Sequence, residues 1–203
     1  MRGKFRNFGT LMHNRTYVGF MLTQVFCFGT FFAFIFGSPF VFINVFGLSE
    51  STFPLIITVQ VVGFIAGTTL SERLAPRFGL DTVFRWAVVT AWIAGMTTAA
   101  FPLFGIETIV TIVAPMIVFA FAVGFIFPLG TASALGPFPM MAGTAAALLG
   151  FVQTLGGTGF GVTVGALFDG RAVGMTSVMG VSVSMALIVY FVLLWRRPVE
   201  GSP

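Results

Sequence analysis

The longest uncharged stretch of the chain, from Thr108 to Phe168, reads TIVTIVAPMIVFAFAVGFIFPLGTASALGPFPMMAGTAAALLGFVQTLGGTGFGVTVGALF. One helix crosses a membrane with about 20 apolar residues, so this stretch is too long for a single crossing. Its middle, LGTASALGPFP at residues 129–139, contains two glycines and two prolines, which interrupt helices. The stretch therefore predicts two membrane helices joined by a turn near residues 131–142.

The composition of the whole chain agrees with a membrane protein. Of its 203 residues, 57% are hydrophobic and only 8% are charged, and the mean hydropathy is +1.04. A soluble domain is usually about 25% charged, so this chain lacks the polar surface that a globule needs in water. The pI near 10.2 reflects a net charge of only +4. We therefore expect an integral membrane protein in contact with the lipid bilayer, and no nucleic-acid partner.

Four further uncharged stretches are each long enough for one helix, which gives an all-α protein with six membrane helices. A basic arm at 1–16 and a short tail at 198–203 flank the membrane domain, residues 17–197. The predicted helices lie at about 17–43, 53–71, 84–104, 108–130, 142–168 and 175–195.

The basic residues predict the orientation of these helices. An even number of helices places both termini on one side of the membrane, and only Arg171 then lies on the opposite side. An excess of Arg and Lys marks the cytoplasmic side, so both termini should be cytoplasmic. The other Arg and Lys residues are Arg2, Lys4, Arg6, Arg15, Arg73, Arg77, Arg85, Arg196 and Arg197.

Two sequence patterns occur twice in the chain. FAFIFG at 32–37 resembles FAFAVG at 119–124, and VQVVG at 59–63 resembles VQTLG at 152–156. Helices one and four would run in opposite directions, as would helices two and five, which is typical of an inverted repeat of three helices plus three. The alternative is chance, because the chain contains 27 Phe and 25 Gly.

Three segments resemble the bicyclomycin and chloramphenicol resistance transporters, a subfamily in the drug:proton antiporter branch of the major facilitator superfamily. FIFGSPFV at 34–41 is similar to the signature of that family's seventh helix. Residues 134–139 and 142–153 resemble the loop and helix after its tenth span. Residues 67–79 resemble a cytoplasmic loop with the pattern Gly-x-x-x-Asp-Arg-x-Gly, although the chain has Glu72 where Asp is usual.

The resemblance covers the C-terminal six-helix half of the family's usual chain of about twelve helices. It implies multidrug efflux of small amphipathic compounds across the bacterial inner membrane by alternating access. It also implies a second six-helix half, either another copy or a separate N-terminal half. A non-transporting remnant or an accessory membrane subunit is the alternative. The resemblance further implies that the loop motif caps helix ends and stabilises one conformer, with solvated topology charges as the alternative; its residues are Gly67, Glu72, Arg73, Arg77 and Gly79.

The membrane helices lack the residues that catalysis or proton transfer requires. Every carboxylate falls at or beyond the end of a predicted helix, so the chain has no buried acid to carry protons unaided. The single histidine, His13, and the single cysteine, Cys27, form neither a metal site nor a nucleophile pair. We expect no enzymatic activity, no cofactor and no metal.

The neutral polar residues are the candidate substrate contacts. Gln60 and Gln153 lie near the middle of helices two and five, where an unpaired amide is costly. They are predicted to bind substrate, with helix–helix hydrogen bonding as the alternative. Gln24 lies nearer the cytoplasmic end of helix one and ranks below them. Phe34, Ser38 and Phe125 are added because they lie near expected helix breaks.

Prolines and glycines complete the predicted set. Gating or helix-breaking positions are Pro39, Pro115 and Pro128, since proline frees a backbone carbonyl. Close helix packing is predicted at Gly63, Gly157, Gly161 and Gly165, the last three of which are spaced four residues apart.

Overall fold

The computed structural model describes residues 9–195 and contains six long helices. Every one of them is long and apolar enough to cross a membrane, which confirms the predicted number. The rest of the arm and tail lies outside the described residues, including Arg2, Lys4, Arg6, Arg196, Arg197 and 198–203. The helices are α1 (Arg15–Pro39), α2 (Phe53–Phe78), α3 (Leu80–Leu103), α4 (Ile109–Leu135), α5 (Ala142–Ala166) and α6 (Ala172–Val189).

Short helical segments of other types extend three of these helices. A π-helical segment, Phe40–Val45, continues α1, and another, Tyr190–Leu194, continues α6. A 3₁₀ turn at Pro139–Met141 leads into α5, so the chain reverses direction at residues 136–141. The Gly- and Pro-rich middle of the long uncharged stretch therefore lies where α4 gives way to α5.

The segment between α2 and α3 differs from the loop that the sequence predicts. Helix α2 continues to Phe78 and α3 begins at Leu80, so Gly67, Glu72, Arg73 and Arg77 are helical. Only Gly79 lies outside the two helices, with φ of +81°, a conformation that glycine adopts without steric cost. The charged residues can extend the helix because their long side chains reach water from its last turns.

The three prolines expected to break helices do not do so. Pro39 ends the α-helical part of α1, but the π segment follows directly, and α4 runs through both Pro115 and Pro128. Neighbouring hydroxyl groups account for two of the three. Ser38 donates a hydrogen bond to the carbonyl of Ile35 (3.2 Å), the group that Pro39 leaves without an amide.

A hydroxyl from another helix serves Pro128 in the same way. Thr68 of α2 lies 3.2 Å from the carbonyl oxygen of Gly124, four residues before Pro128, and 3.1 Å from that of Phe64. Its one proton can be donated to either oxygen. The carbonyl group that a proline leaves without its amide partner thus receives a hydrogen-bond donor from the adjacent helix, as expected for prolines tolerated in membrane proteins.

The helices pack with the symmetry of the inverted repeat. Helix α1 packs against α5 and α6, and α4 packs in the same manner against α2 and α3. The two repeats also meet through α1 against α4 and α3 against α6. The result has three layers: α3 with α6, then α1 with α4, then α2 and α5 as flanking helices. The predicted arrangement of three helices plus three, half of a major facilitator fold, is confirmed.

Glycine packs differently in the two repeats. A Cβ on Gly67 would collide with the main-chain oxygen of Phe121, so α2 and α4 approach backbone to backbone. In α5, Gly157 and Gly161 instead receive aromatic rings of α1, at Phe28 and Phe36 respectively.

The other two glycines predicted for close packing, Gly63 and Gly165, do not receive an aromatic ring. Gly63 also lies against α4, where a Cβ would be 3.2 Å from the carbonyl oxygen of Ile117. A Cβ on Gly165 would meet no atom of another helix within 4 Å. The four-residue spacing therefore includes one glycine that makes no close helix contact.

Candidate functional site

Three polar side chains from three helices meet inside the bundle. Gln24 of α1 is fully buried, and its Oε1 accepts hydrogen bonds from the Thr131 hydroxyl of α4 (3.1 Å) and from Nε2 of Gln153 of α5 (3.3 Å). Its Nε2 lies 3.4 Å from the carbonyl oxygen of Phe20 on its own helix. We call Gln24, Thr131 and Gln153 the amide cluster.

A glycine makes room for this cluster. A Cβ on Gly130 would lie 2.9 Å from Nε2 of Gln24 and 3.0 Å from the ring of Phe84. Both contacts are tighter than normal packing allows, so the Gln24 amide reaches Thr131 because the preceding residue has no side chain. Thr131 and Gln153 are half-buried, which leaves part of each side chain accessible.

An apolar cavity of about 120 Å³ lies one helical turn from the amide cluster. Phe28 follows Gln24 by four residues on α1, and Phe127 precedes Thr131 by four on α4, so each pair shares a helix face. The rings of Phe28 and Phe127 are 5.9 Å apart. We call this space the aromatic cavity; its walls are Phe28, Phe31, Val61, Phe64, Ala120, Val123 and Phe127.

Gln60 lies apart from the amide cluster, on α2. Only 1% of its surface is exposed, and neither amide atom has a hydrogen-bond partner among residues 9–195. It belongs to the buried face of α2, which packs mainly on α4 and also includes Ile56, Gly67 and Ser71. The structure therefore pairs Gln153 with Gln24 but separates it from Gln60, its counterpart in the repeat.

The other predicted substrate contacts are also dispersed. Phe34 is fully buried in α1, with its ring 6.1 Å from that of Phe42. Ser38 is fully buried too, and its hydroxyl is engaged by the carbonyl of Ile35. Phe125 lines a different cavity, of about 270 Å³, where α2, α3 and α4 meet. These three residues do not form one site with the glutamines.

The charged residues lie at the ends of the bundle. Glu107 and Arg171, in the connections before α4 and α6, form an ion pair at 3.0 Å, the one salt bridge within residues 9–195. Glu107 also accepts a 3.4 Å hydrogen bond from the first amide of α6, at Ala172. At the opposite end, Arg15 donates a hydrogen bond to the carbonyl of Val192. Glu72, Arg73 and Arg77 of the predicted loop motif are exposed.

Sequence reasoning ranks Gln24 below the other glutamines and does not single out Thr131 or Thr68. The signal for Gln24 is present, because it is an amide in an uncharged membrane helix like Gln60 and Gln153. The signal for the two threonines is weak, since a threonine in a membrane helix commonly bonds its own backbone, as Thr154 does with Gly150.

The fold and the six spans define a multi-pass membrane protein with half of a major facilitator architecture. Comparison with curated proteins agrees. The chain is 28% identical over 201 residues to the bicyclomycin resistance protein homolog of Haemophilus influenzae, a match covering 95% of this chain and 48% of that protein. It is 26% identical over 197 residues to an uncharacterised MFS-type transporter of Bacillus subtilis, covering 97% and 48% respectively.

A third relative has higher identity over a shorter segment. Multidrug resistance protein D of Escherichia coli is 33% identical over 112 residues, which is 55% of this chain and 28% of that protein. No protein-family model matches the chain. The chain spans about half the length of the first two relatives. It is a homologue of major facilitator drug-resistance transporters over that part, as the sequence resemblance predicts.

Proposed function

We propose that this chain is one half of a multidrug-efflux transporter, acting by alternating access together with a second six-helix half. Its relatives supply the class, since two are named as resistance proteins and a third as an MFS-type transporter. The observation that carries the proposal is the polar amide cluster beside an aromatic cavity, in a bundle whose flanking helices are largely uncovered. Small amphipathic compounds match such a lining.

The need for a second half is argued from burial. In their most apolar windows, α2 and α5 have only 17% and 22% of their residues buried, whereas the other four helices have 44–50%. Both flank α1 and α4, the two helices that carry most of the cluster and the cavity. A second bundle packed on α2 and α5 would enclose these residues in a central cavity. A second copy of the chain and a separate N-terminal half both meet this requirement.

We assign the residues that couple transport to an energy source to the second half. In the described helices, every charged residue lies within about two turns of a helix end, as Glu72 and Arg85 do. A proton pathway normally uses ionisable residues inside the membrane. The buried part of this half therefore binds substrate, and proton coupling would require an acidic residue of the partner.

The alternative is an accessory or remnant membrane protein without transport activity. The amide cluster favours the transporter, since Thr131 and Gln153 are only half-buried and a substrate can reach them. We expect cells that express the chain with its second half to accumulate less of a lipophilic fluorescent dye. Gln153→Ala should abolish that difference at unchanged membrane level, whereas Thr154→Ala, next to it on the exposed side of α5, should not.

The mass of the protein in detergent distinguishes a homodimer from a monomer, and a monomer is expected both for a chain that needs a separate N-terminal half and for a protein without transport activity. A homodimer would elute at twice the mass of the chain, 21.7 kDa, after subtraction of detergent. A strict monomer that alters no dye accumulation, alone or with an N-terminal half, would contradict the transporter proposal.

We further propose a location in the plasma membrane with both termini cytoplasmic. In a Cys27→Ser background, a membrane-impermeant thiol reagent added to intact cells should label Ser51→Cys, before α2, but not Phe78→Cys, at the end of α2. Both sites are exposed, so accessibility in lysed cells serves as the control. The reverse labelling pattern would contradict the orientation.

A further inference from the structure

We propose that an acidic phospholipid binds in the angle between α2 and α3, with its phosphate beside Arg77 and one acyl chain in the cavity that Phe125 lines. This cavity has a volume of about 270 Å³ and adjoins the junction of the two helices at Gly79, because Phe78 and Thr82 are among its walls. We call it the junction cavity. The inference goes beyond the proposed function, since it concerns the lipid-facing surface of the bundle and not the path of a substrate.

The junction cavity exists because α2 and α3 both pack extensively on α4 but hardly on each other. The two helices are joined at Gly79 and diverge from there, and α4 forms the floor between them with Phe121 and Phe125. Phe78 and Trp86 stand on the two rims, where they are 63% and 62% exposed. The cavity therefore opens sideways, towards the acyl chains of the membrane.

The length of the junction cavity matches one leaflet of a bilayer. Its walls on α3 run from Thr82 to Thr90, about 12 Å of helix, and half of a bilayer's hydrocarbon core is about 15 Å thick. An apolar protein cavity of roughly 150 Å³ holds benzene, so the larger junction cavity has room for a chain of methylene groups. A second cavity, of about 500 Å³, continues between α3 and α4 from Thr90 to Phe101 and corresponds to the other leaflet. We call it the far cavity.

The charge at the mouth of the junction cavity selects an acidic headgroup. Arg77 follows Leu74, a wall residue, by three positions, so both lie on one side of α2. Glu72, the one acidic residue of α2, lies five positions before Arg77 and therefore about 140° around the helix. Asp81 lines a different cavity, together with Arg85. An arginine without a carboxylate on its own face favours a phosphate whose charge no ammonium group of the same lipid balances.

Two further side chains suit the depth of a lipid's phosphate and ester groups. Thr82 lies in the first turn of α3, where its own helix has no carbonyl one turn earlier, so its hydroxyl can donate to an ester oxygen. Trp86 has an amphipathic ring, and tryptophan is enriched at the level of the headgroups in membrane proteins. From the mouth inwards the groups are therefore basic, then hydroxyl and indole, then mainly apolar, which is the order of matching groups in a phospholipid.

The far cavity lacks the basic group and provides an internal comparison. Its walls on α4 begin with Val110 and Thr111, and none of its wall residues is charged. The arginine at that end of the bundle, Arg171, is paired with Glu107 at 3.0 Å. Acyl chains should therefore fill the far cavity without preference for a headgroup.

The test places the full chain in phosphatidylcholine vesicles and measures the quenching of Trp86 fluorescence by spin-labelled lipids. Trp92→Phe and Trp195→Phe leave Trp86 as the single tryptophan. Phosphatidylglycerol and phosphatidylcholine with the same nitroxide-labelled chain are compared, so the ratio of their quenching gives the ratio of their affinities. We expect phosphatidylglycerol to be preferred about fivefold, the effect of one arginine near a membrane surface. Val110→Trp combined with Trp86→Phe reports on the far cavity and should show no preference.

Variants then assign the preference to one arginine. Arg77→Gln should remove the preference at Trp86, whereas Arg77→Lys keeps the charge and should keep most of it. Arg85→Gln removes the same charge from the same end of the bundle, but Arg85 lines the other cavity, with Asp81. This variant is the matched control and should leave the preference unchanged.

Equal quenching of Trp86 by the two lipids, an unchanged preference in Arg77→Gln, or an equal loss in Arg85→Gln would overturn the inference. A second copy of the chain lying over the junction cavity would shield Trp86 from both lipids, so weak quenching by either lipid would overturn it too. If Arg77→Gln does not yield a monodisperse protein, high salt decides, since screening should abolish the preference when Arg77 is present. Lipid binding needs neither a second half nor an energy source. Absence of dye efflux would therefore refute only the proposed function, and absence of the lipid preference only this inference.

Discussion

Replacing Gln60 by methionine should stabilise the protein, although glutamine at this position is predicted to bind substrate. Its Nε2 and Oε1 atoms are buried and have no hydrogen-bond partner in the part of the chain that the structure describes, and only 1% of the residue is exposed. Methionine has the same unbranched length and no polar atoms, so it can fill the space without a new clash.

The magnitude follows from the cost of the unpaired amide. Burying such a group without hydrogen bonds costs about 1–3 kcal/mol by protein mutational data, and methionine removes that cost. Gln153→Met is the matched control, because Gln153 is its repeat counterpart but donates a hydrogen bond to Gln24. Loss of that bond should destabilise the protein by about 0.5–1.5 kcal/mol. The two substitutions are therefore expected to have opposite signs.

The free energy of unfolding can be measured by titration with SDS in mixed micelles, with helicity as the signal. A destabilised Gln60→Met protein would refute the reasoning, because it would mean that the amide has partners within the folded chain. A stabilised Gln60→Met protein that has lost dye efflux would indicate that Gln60 meets substrate or the second half. Unchanged efflux would leave Gln60 without a role in transport.

Three further predictions concern packing, a buried hydrogen bond and the ion pair between Glu107 and Arg171. Gly67→Ala should lower stability by about 1–3 kcal/mol, since its methyl group would meet main-chain atoms of α4. Gly165→Ala has open space around it and should raise stability by about 0.5–1 kcal/mol through helix propensity. Thermal unfolding in detergent distinguishes the two. Tyr17→Phe removes a buried 2.6 Å hydrogen bond to a carbonyl of α5 and should cost about 0.5–1.5 kcal/mol in SDS unfolding, and an unchanged midpoint would contradict that contact. Arg171→Ala should cost less than about 1 kcal/mol and the effect should shrink in high salt, because Arg171 is largely exposed. Glu107→Ala should cost more, since Glu107 also accepts a hydrogen bond from the first amide of α6.

The length of each helix was less predictable than its existence. The sequence places the end of the second helix at residue 71, before the first charge, but α2 continues to Phe78. Hydropathy marks the apolar part of a helix and not its hydrogen bonds, and Arg73 and Arg77 extend into water from a helical backbone. Pro115 and Pro128 misled in the opposite direction, since proline breaks isolated helices but is tolerated in packed membrane helices.

The residues of the candidate site were also predicted only in part. The sequence identifies Gln153 as an amide in a membrane helix, but its partner, Gln24, is separated from it by 129 residues. No periodicity within one helix reports which residues of three helices meet. The repeat pattern suggested that Gln60 and Gln153 would be equivalent. In the structure, α2 packs on α4 through backbone contacts at Gly67, whereas α5 packs on α1 through aromatic rings that lie against Gly157 and Gly161. Equivalent positions of the two repeats therefore have different neighbours.

The sequence by itself determined the solvent, the number of membrane helices and their repeat, because these depend on composition, on the spacing of charges and on local breaks at Gly and Pro. It also carried the resemblance to drug-resistance transporters. Only the tertiary structure decided which polar groups are paired. Gln24, Thr131 and Gln153 form hydrogen bonds with one another, whereas the Gln60 amide has no partner in the described residues. A hydrogen bond between helices requires its two atoms to lie about 3 Å apart, and that distance is set by how closely the helices pack.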